Sequence, residues 1–146
     1  MNESTVAKLK KAALQVRMDC INIQKLVGSG HLGGSFSAVE LLVYLYFFRM
    51  RIDPQHPWAE ERDVFILSKG HASLGYYSVL ARRGFFSVDE LKTYRRINSR
   101  LQGHTQMDSA PGIECSSGSL GQGLSFGLGM ALGYKKRGLP NLVYVM

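Results

Sequence analysis

The stretch GSLGQGLSFGLGMALG, residues 118–133, sets the tightest limit on the fold. It holds six glycines in sixteen residues, and its other members mostly favour a helix. Each glycine inside a helix costs about 0.5–1 kcal/mol relative to alanine. A chain that accepts this repeatedly needs close approach to the backbone. Gly123 and Gly127, and again Gly129 and Gly133, stand four apart, so each pair lies on one helical face that another element can approach. The stretch is not a phosphate loop, because it lacks the Gly-Lys-Ser/Thr ending. Gly121, Gly123 and Gly127 also miss the dinucleotide-binding spacing by one residue. The later glycines therefore read as packing positions, while the leading GSLG offers backbone polar groups to a ligand.

Elsewhere helices alternate with short apolar runs. Residues 5–27 carry Val6, Leu9, Ala13, Val16, Cys20, Ile23 and Val27 three or four apart, which predicts a helix capped by Ser4 or Thr5 and ended by Gly28. GSGHLGGSF reads as a loop. Ser37 and Glu40 have capping-box spacing ahead of LLVYLYFF, a helix apolar nearly all round and so expected to be buried. Pro54 and Pro57 make DPQHPW a loop. DVFIL, residues 63–67, predicts a buried strand turning through SKGHAS into a helix. Ser87 and Glu90 form a second capping box before VDELKTYRRI, and residues 98–119 are irregular. A helix over 121–137 ends in three cationic residues and Gly138, and NLVYVM is a second strand. Helices covering a parallel sheet make the class α/β. A buried parallel strand ordinarily leads on into a helix, so the sheet reads as truncated at its C-terminal end, with residues 1–146 forming part of one domain.

Composition narrows the function. Hydrophobic residues make up 45% and charged residues 20% of the 146, a globular balance. No apolar run reaches the roughly 18 residues of a membrane span, and MNESTVAKLKKAAL is not a secretion signal. Cys20 and Cys115 suit neither a disulfide framework nor a zinc site, so a reducing cytoplasm is the expected compartment. The net charge of +7 raises nucleic acid as a partner. The basic residues, however, come as scattered pairs and triplets without aromatic interleaving, and read as solvated helix faces and ends.

Three histidines follow glycines: Gly30-His31, Gly70-His71 and Gly103-His104. A single such histidine reads as hydrogen-bonded structure, but three glycine-flanked ones suggest ligand approach. His71 is best placed, just after a strand and before a helix, where open α/β sheets bind ligands and helix N-termini attract phosphate. His56 lacks that setting and reads as loop structure.

SGHLGG, ERDVFILSKGHAS, QGH and GSLGQGLSFGLGMALG, in this order over residues 29–133, resemble the N-terminal section of transketolase. The two long motifs are specific; SGHLGG and QGH alone are weak. His31-Leu32-Gly33-Gly34 and Gly118-Ser119-Leu120 replace proline-containing variants and look more like two-subunit transketolases. The resemblance implies a partial three-layer, parallel-sheet thiamine-diphosphate-binding fold. It implies that Gly118, Ser119 and Leu120 contact the cofactor's aminopyrimidine, with the backbone at Gly118 and Leu120 making the contacts, and that the following helix packs at a dimer centre. It places His31, His71 and His104 as catalytic residues lining the channel beside the thiazolium and diphosphate, with His71 also binding cofactor. Ser29 is a weaker candidate for the same channel, its alternative role being to shape its loop.

By the same resemblance Mg²⁺ is held by a Gly-Asp-Gly motif and a later asparagine beyond Met146, so no metal ligand is expected here. The implied activity is transfer of two-carbon ketol units between sugar phosphates, in a homodimeric or heterotetrameric assembly with a C-terminal transketolase subunit or domain. The isolated chain is expected to be inactive. The competing expectation is a non-catalytic remnant or interaction module that binds a transketolase-like partner.

Overall fold

In the computed structural model, which describes residues 1–146, helix α1 runs from Glu3 to Val27. Its buried positions Ala13, Val16, Cys20 and Ile23 keep the predicted spacing. The cap is Asn2, not Ser4 or Thr5: its side-chain oxygen accepts from the Thr5 N–H at 2.9 Å and the Thr5 hydroxyl at 2.8 Å. Gly28 ends the helix at φ 77°, a left-handed conformation that glycine adopts without penalty. Cys20 and Cys115 are both free thiols. Burial pushes the Cys20 thiol up to about 11, which leaves it inert.

The expected loop GSGHLGGSF instead contains a short helix, α2, Leu32–Phe36. Two glycines give it little intrinsic propensity; the Ser35 hydroxyl accepts from the Gly75 N–H at 3.2 Å and fixes it from outside. The first capping box does not form. Helix α3, Val39–Tyr44, starts after Ala38; the Ser37 hydroxyl donates to the Gly34 carbonyl and Glu40 pairs with Arg17. Nor is this helix buried all round. After a π-helical turn over Leu45–Arg49, Leu41 and Phe48 are left exposed while Leu42, Val43 and Tyr46 enter the core.

Strands β1, Val64–Ile66, and β2, Val143–Val145, form a two-stranded parallel sheet pairing Val64 with Val143 and Ile66 with Val145. Asp63 fixes this register. Its buried carboxylate accepts from the Arg51 backbone N–H at 3.0 Å, the Arg51 guanidinium at 2.9 Å and the Leu142 N–H at 3.0 Å. Burial raises the affinity of this carboxyl for a proton, but those three donors outweigh burial and hold it below the usual carboxylate range.

Helix α4, Ser73–Arg83, is the central column of the core, buried without interruption from Ser73 to Ala81. Ser87 does accept from Asp89, but the helix it opens is a short 3-10 segment, Val88–Thr93. Arg95 turns the chain at φ 58° before VDELKTYRRI is complete. Helix α5, Gln122–Lys136, packs on the sheet side with Gly123 and Gly127 as its only fully buried residues. A Cβ on Gly123 would fall 2.7 Å from the Ser68 Cβ, and one on Gly127 would strike Val145. Gly129 and Gly133 face open space. The first pair thus has the packing role expected of it, and the second pair has none within this chain.

Candidate active site

The site is built around one turn. β1 ends at Ile66, and the backbone N–H groups of Ser68 and Lys69 donate to the Met146 carbonyl at the end of β2, at 2.6 and 3.3 Å. This holds Gly70-His71-Ala72 as a 3-10 turn at the C-terminal end of the sheet, leading into α4. His71 is half-buried. Gly34 of α2 lies against it, so close that a Cβ there would be 2.6 Å from His71 Cδ2. His31 immediately precedes α2, and its ring meets His71 edge-on, with centroids 5.7 Å apart and planes at 66°. The Lys69 ammonium donates to the Ser37 hydroxyl at 2.8 Å and ties the turn to the far end of α2.

His104 comes from the other side. A Cβ on Gly70 would stand 2.7 Å from the His104 ring and would also strike the Ser117 hydroxyl. Glycine at 70 is therefore what lets these two segments reach the turn. They are also bound to each other: the Ser117 N–H donates to the Thr105 carbonyl at 2.9 Å, and their hydroxyls lie 2.7 Å apart. Helix α4 anchors them, with the Ser73 hydroxyl donating to the Gly103 carbonyl at 2.7 Å. The three histidines thus converge on one turn. His31 and His71 touch, and His104 closes on Gly70.

Gly118, Ser119 and Leu120 follow Ser117 directly and are exposed. Their backbone N–H groups donate to nothing in the chain, and a Cβ on Gly118 would meet no atom within 4 Å. Gly121, at φ 86°, then turns the chain into α5, whose start is fixed by the Gly123 N–H donating to the Ser68 hydroxyl at 3.1 Å. These free backbone groups and the open space beside them fit a planar polar ring such as an aminopyrimidine. His56 lies apart and bonds the Asp53 carboxylate at 2.8 Å.

The sequence reading missed a polar cleft beside His104, about 870 Å³ in volume and lined by Arg95, Gln102, Gly103, His104, Thr105, Gln106, Ser116 and Ser117. QGHT and CSSG carried the signal, since two polar segments ten residues apart can bond across only if they run side by side. No group of three His, Cys, Asp or Glu side chains is placed to hold a metal ion. No helix is long and apolar enough to cross a membrane.

Residues 8–139 match the family described as transketolase, thiamine diphosphate binding domain. The chain belongs to this transketolase family. It is 40% identical over its whole length to 53% of a 6-deoxy-6-sulfo-D-fructose transketolase subunit of Clostridium sp. (strain MSTE9). It is 39% identical, over 94% of its length, to 49% of an apulose-4-phosphate transketolase subunit of Actinobacillus succinogenes. The chain therefore spans about half the length of these curated relatives. Among solved structures, the Campylobacter jejuni transketolase superposes with a TM-score of 0.87 at 27% identity, covering 99% of this chain and 23% of that one. The Pichia stipitis transketolase bound to sedoheptulose 7-phosphate gives 0.84 at 30% identity, covering 94% and 22%. Both likenesses bear out the partial α/β fold of the thiamine-diphosphate-binding part of a transketolase.

Proposed function

We propose that this chain is the cofactor-binding N-terminal part of an enzyme that moves two-carbon ketol units between sugar phosphates. The observation that carries the reading is the convergence of His31, His71 and His104 on the Gly70 turn at the C-terminal end of β1. Bound thiamine diphosphate supplies the electron sink for ketol cleavage. The backbone of Gly118, Ser119 and Leu120 would hold the aminopyrimidine. His71 would also bind the cofactor, and the ring nitrogens of His31, His71 and His104 would donate to sugar hydroxyl and carbonyl oxygens and exchange protons with them. Imidazole suits this because its ordinary pKa lies near 6.5. Mg²⁺ belongs to the proposal only with ligands from outside these residues, since no cluster here suits it.

The partner is a C-terminal transketolase subunit or domain, in a homodimeric or heterotetrameric assembly. Leu124, Leu128 and Leu132, each four residues on from the last along α5, are between 58% and 67% exposed, a stripe suited to burial against another chain. The same stripe favours a second reading, a non-catalytic interaction module.

The test is calorimetric titration of thiamine diphosphate with Mg²⁺ into the chain, alone and then with the segment carrying the metal motif and a C-terminal transketolase subunit, followed by turnover of a ketose phosphate with an aldose phosphate. The expected result is weak or no binding and no turnover by the chain alone, and binding with turnover once the segment carrying the metal motif and the C-terminal subunit are both present, which His71→Ala lowers by about 10²–10⁴-fold. Complex formation without cofactor binding would establish the interaction module instead.

A further inference from the structure

Two packing contacts set the ring of His71. Gly34 lies along one edge, where an added Cβ would be 2.6 Å from Cδ2 and 2.9 Å from Nε2. The His31 ring closes on it with centroids 5.7 Å apart. A ring held by a wall is only as fixed as that wall. The wall is α2, five residues long with two glycines, too short to keep its shape alone. Ser35 pins its middle to Gly75 of α4. Lys69 pins its far end: the ammonium donates to the Ser37 hydroxyl at 2.8 Å, and that hydroxyl donates on to the Gly34 carbonyl at 3.0 Å. Lys69 is half-buried and enters none of the chain's ion pairs. Its backbone N–H is bound to the Met146 carbonyl at 3.3 Å. One turn thus carries both the imidazole and the ammonium that braces the wall beside it.

We propose that Lys69 is a positioning residue, which through Ser37 and Gly34 fixes the direction in which the His71 imidazole faces its ligands. This rests on the ketol-transfer reading above. The three groups act in series, so loss of either the ammonium or the hydroxyl frees the same wall. A charge-assisted bond suits the task, being shorter and stronger than a neutral one. An ammonium on a flexible stem also reaches Ser37, 32 positions away in the chain, without distorting the turn that carries it. The competing role for Lys69 is direct, with the ammonium leaving Ser37 to pair with an anion at the turn. The series arrangement is favoured because the Ser37 hydroxyl is engaged on both sides, accepting from Lys69 and donating to Gly34. A cation that acts alone has no use for that relay.

Two measurements test it. In the chain itself, NMR follows the ring resonances of His71 and the nuclear Overhauser effect between its Hδ2 and the Gly34 Hα. Lys69→Met, which keeps the stem, and Ser37→Ala are each expected to move the ring resonances and weaken that effect, in chains that still unfold at the same denaturant concentration. Ser37→Thr, which keeps the hydroxyl, should restore both. A His71–Gly34 contact that survives both Lys69→Met and Ser37→Ala would overturn the assignment, whether or not the protein proves to be a transketolase. In the enzyme assembled with the metal-motif segment and the C-terminal subunit, each of these two substitutions should lower kcat by about tenfold, the weight of one hydrogen bond to a charged group. KM for the sugar phosphates should change by less than about twofold, as for an effect on the reacting geometry rather than on binding. The double variant should lose no more than either single one, because both groups act through one route. Additive losses would overturn the proposal. So would a loss confined to Lys69→Met with Ser37→Ala silent, which would assign the ammonium directly to an anion. Absence of turnover in the unmutated assembly would refute the ketol-transfer reading and leave the NMR contact to decide Lys69.

Discussion

Helices α4 and α5 both start at the site, yet they are built to opposite ends. Every residue of α4 from Ser73 to Ala81 is buried, whereas α5 buries only Gly123 and Gly127 and leaves Leu124, Phe126, Leu128 and Leu132 in the open. Glycine serves both helices, but differently. Gly75 of α4 admits Ser35 of α2, and Gly123 of α5 admits Ser68; Gly129 and Gly133 admit nothing in this chain. A helix that carries glycine at a cost of about 1 kcal/mol each, with no neighbour to use the space, is shaped for a neighbour it lacks here. The apolar content of a helix therefore does not tell whether it belongs to the core. What decides is whether its small residues have something against them.

Leu74→Ala gives the sharpest contrast. Leu74 is fully buried beneath the Gly30 loop, and its truncation should cost about 2–5 kcal/mol in denaturant unfolding. If α4 tolerated it, the division between the two helices would collapse. Asp63→Asn comes next, because α5 rests on the sheet that Asp63 aligns. A loss of about 1–3 kcal/mol is expected above pH 5. The folded-state carboxyl lies below its ordinary 3.8. Its contribution is thus complete above that value and is lost as pH falls through the lower folded-state one, so wild type should lose stability below about pH 4 more steeply than Asp63→Asn. Leu128→Ser should change the stability of the chain by less than about 0.5 kcal/mol and yet weaken self-association or partner binding in sedimentation. A large stability loss would mean that the stripe is already packed. The smallest effect belongs to the surface: Glu40→Gln breaks the Arg17 pair and should shift stability by under about 0.5 kcal/mol.

Much of this was legible in the sequence. The α1 periodicity, the Val64–Ile66 strand, the glycine-ended helices and the Gly70-His71 turn all follow from local pattern. The short helix Leu32–Phe36 does not, because two glycines argue against it and only the contact between Ser35 and Gly75 supports it. Ser37 and Glu40 match a capping box in spacing, but the preceding turn's Gly34 carbonyl claims the Ser37 hydroxyl and distant Arg17 claims the Glu40 carboxylate. The meeting of His31 with His71, forty positions apart, was implied by the family resemblance rather than by spacing. The Arg95 cleft was missed because its members are individually ordinary polar residues, brought together by tertiary bonds such as those between Thr105 and Ser117 and between Ser73 and Gly103.

The bond from Leu142 to Asp63 joins residues 79 positions apart. Closing so long a loop costs chain entropy before strand pairing returns anything. Helices α1 to α4 meet over shorter separations and share one hydrophobic cluster, so they form an early folding unit, with α5 and β2 docking late. What docks late over little buried surface also opens first, and amide exchange at Tyr144 should outpace that at Tyr77. Because Met146 at the end of β2 holds the Ser68–Lys69 backbone, that opening would loosen the histidine turn while leaving the helical unit folded.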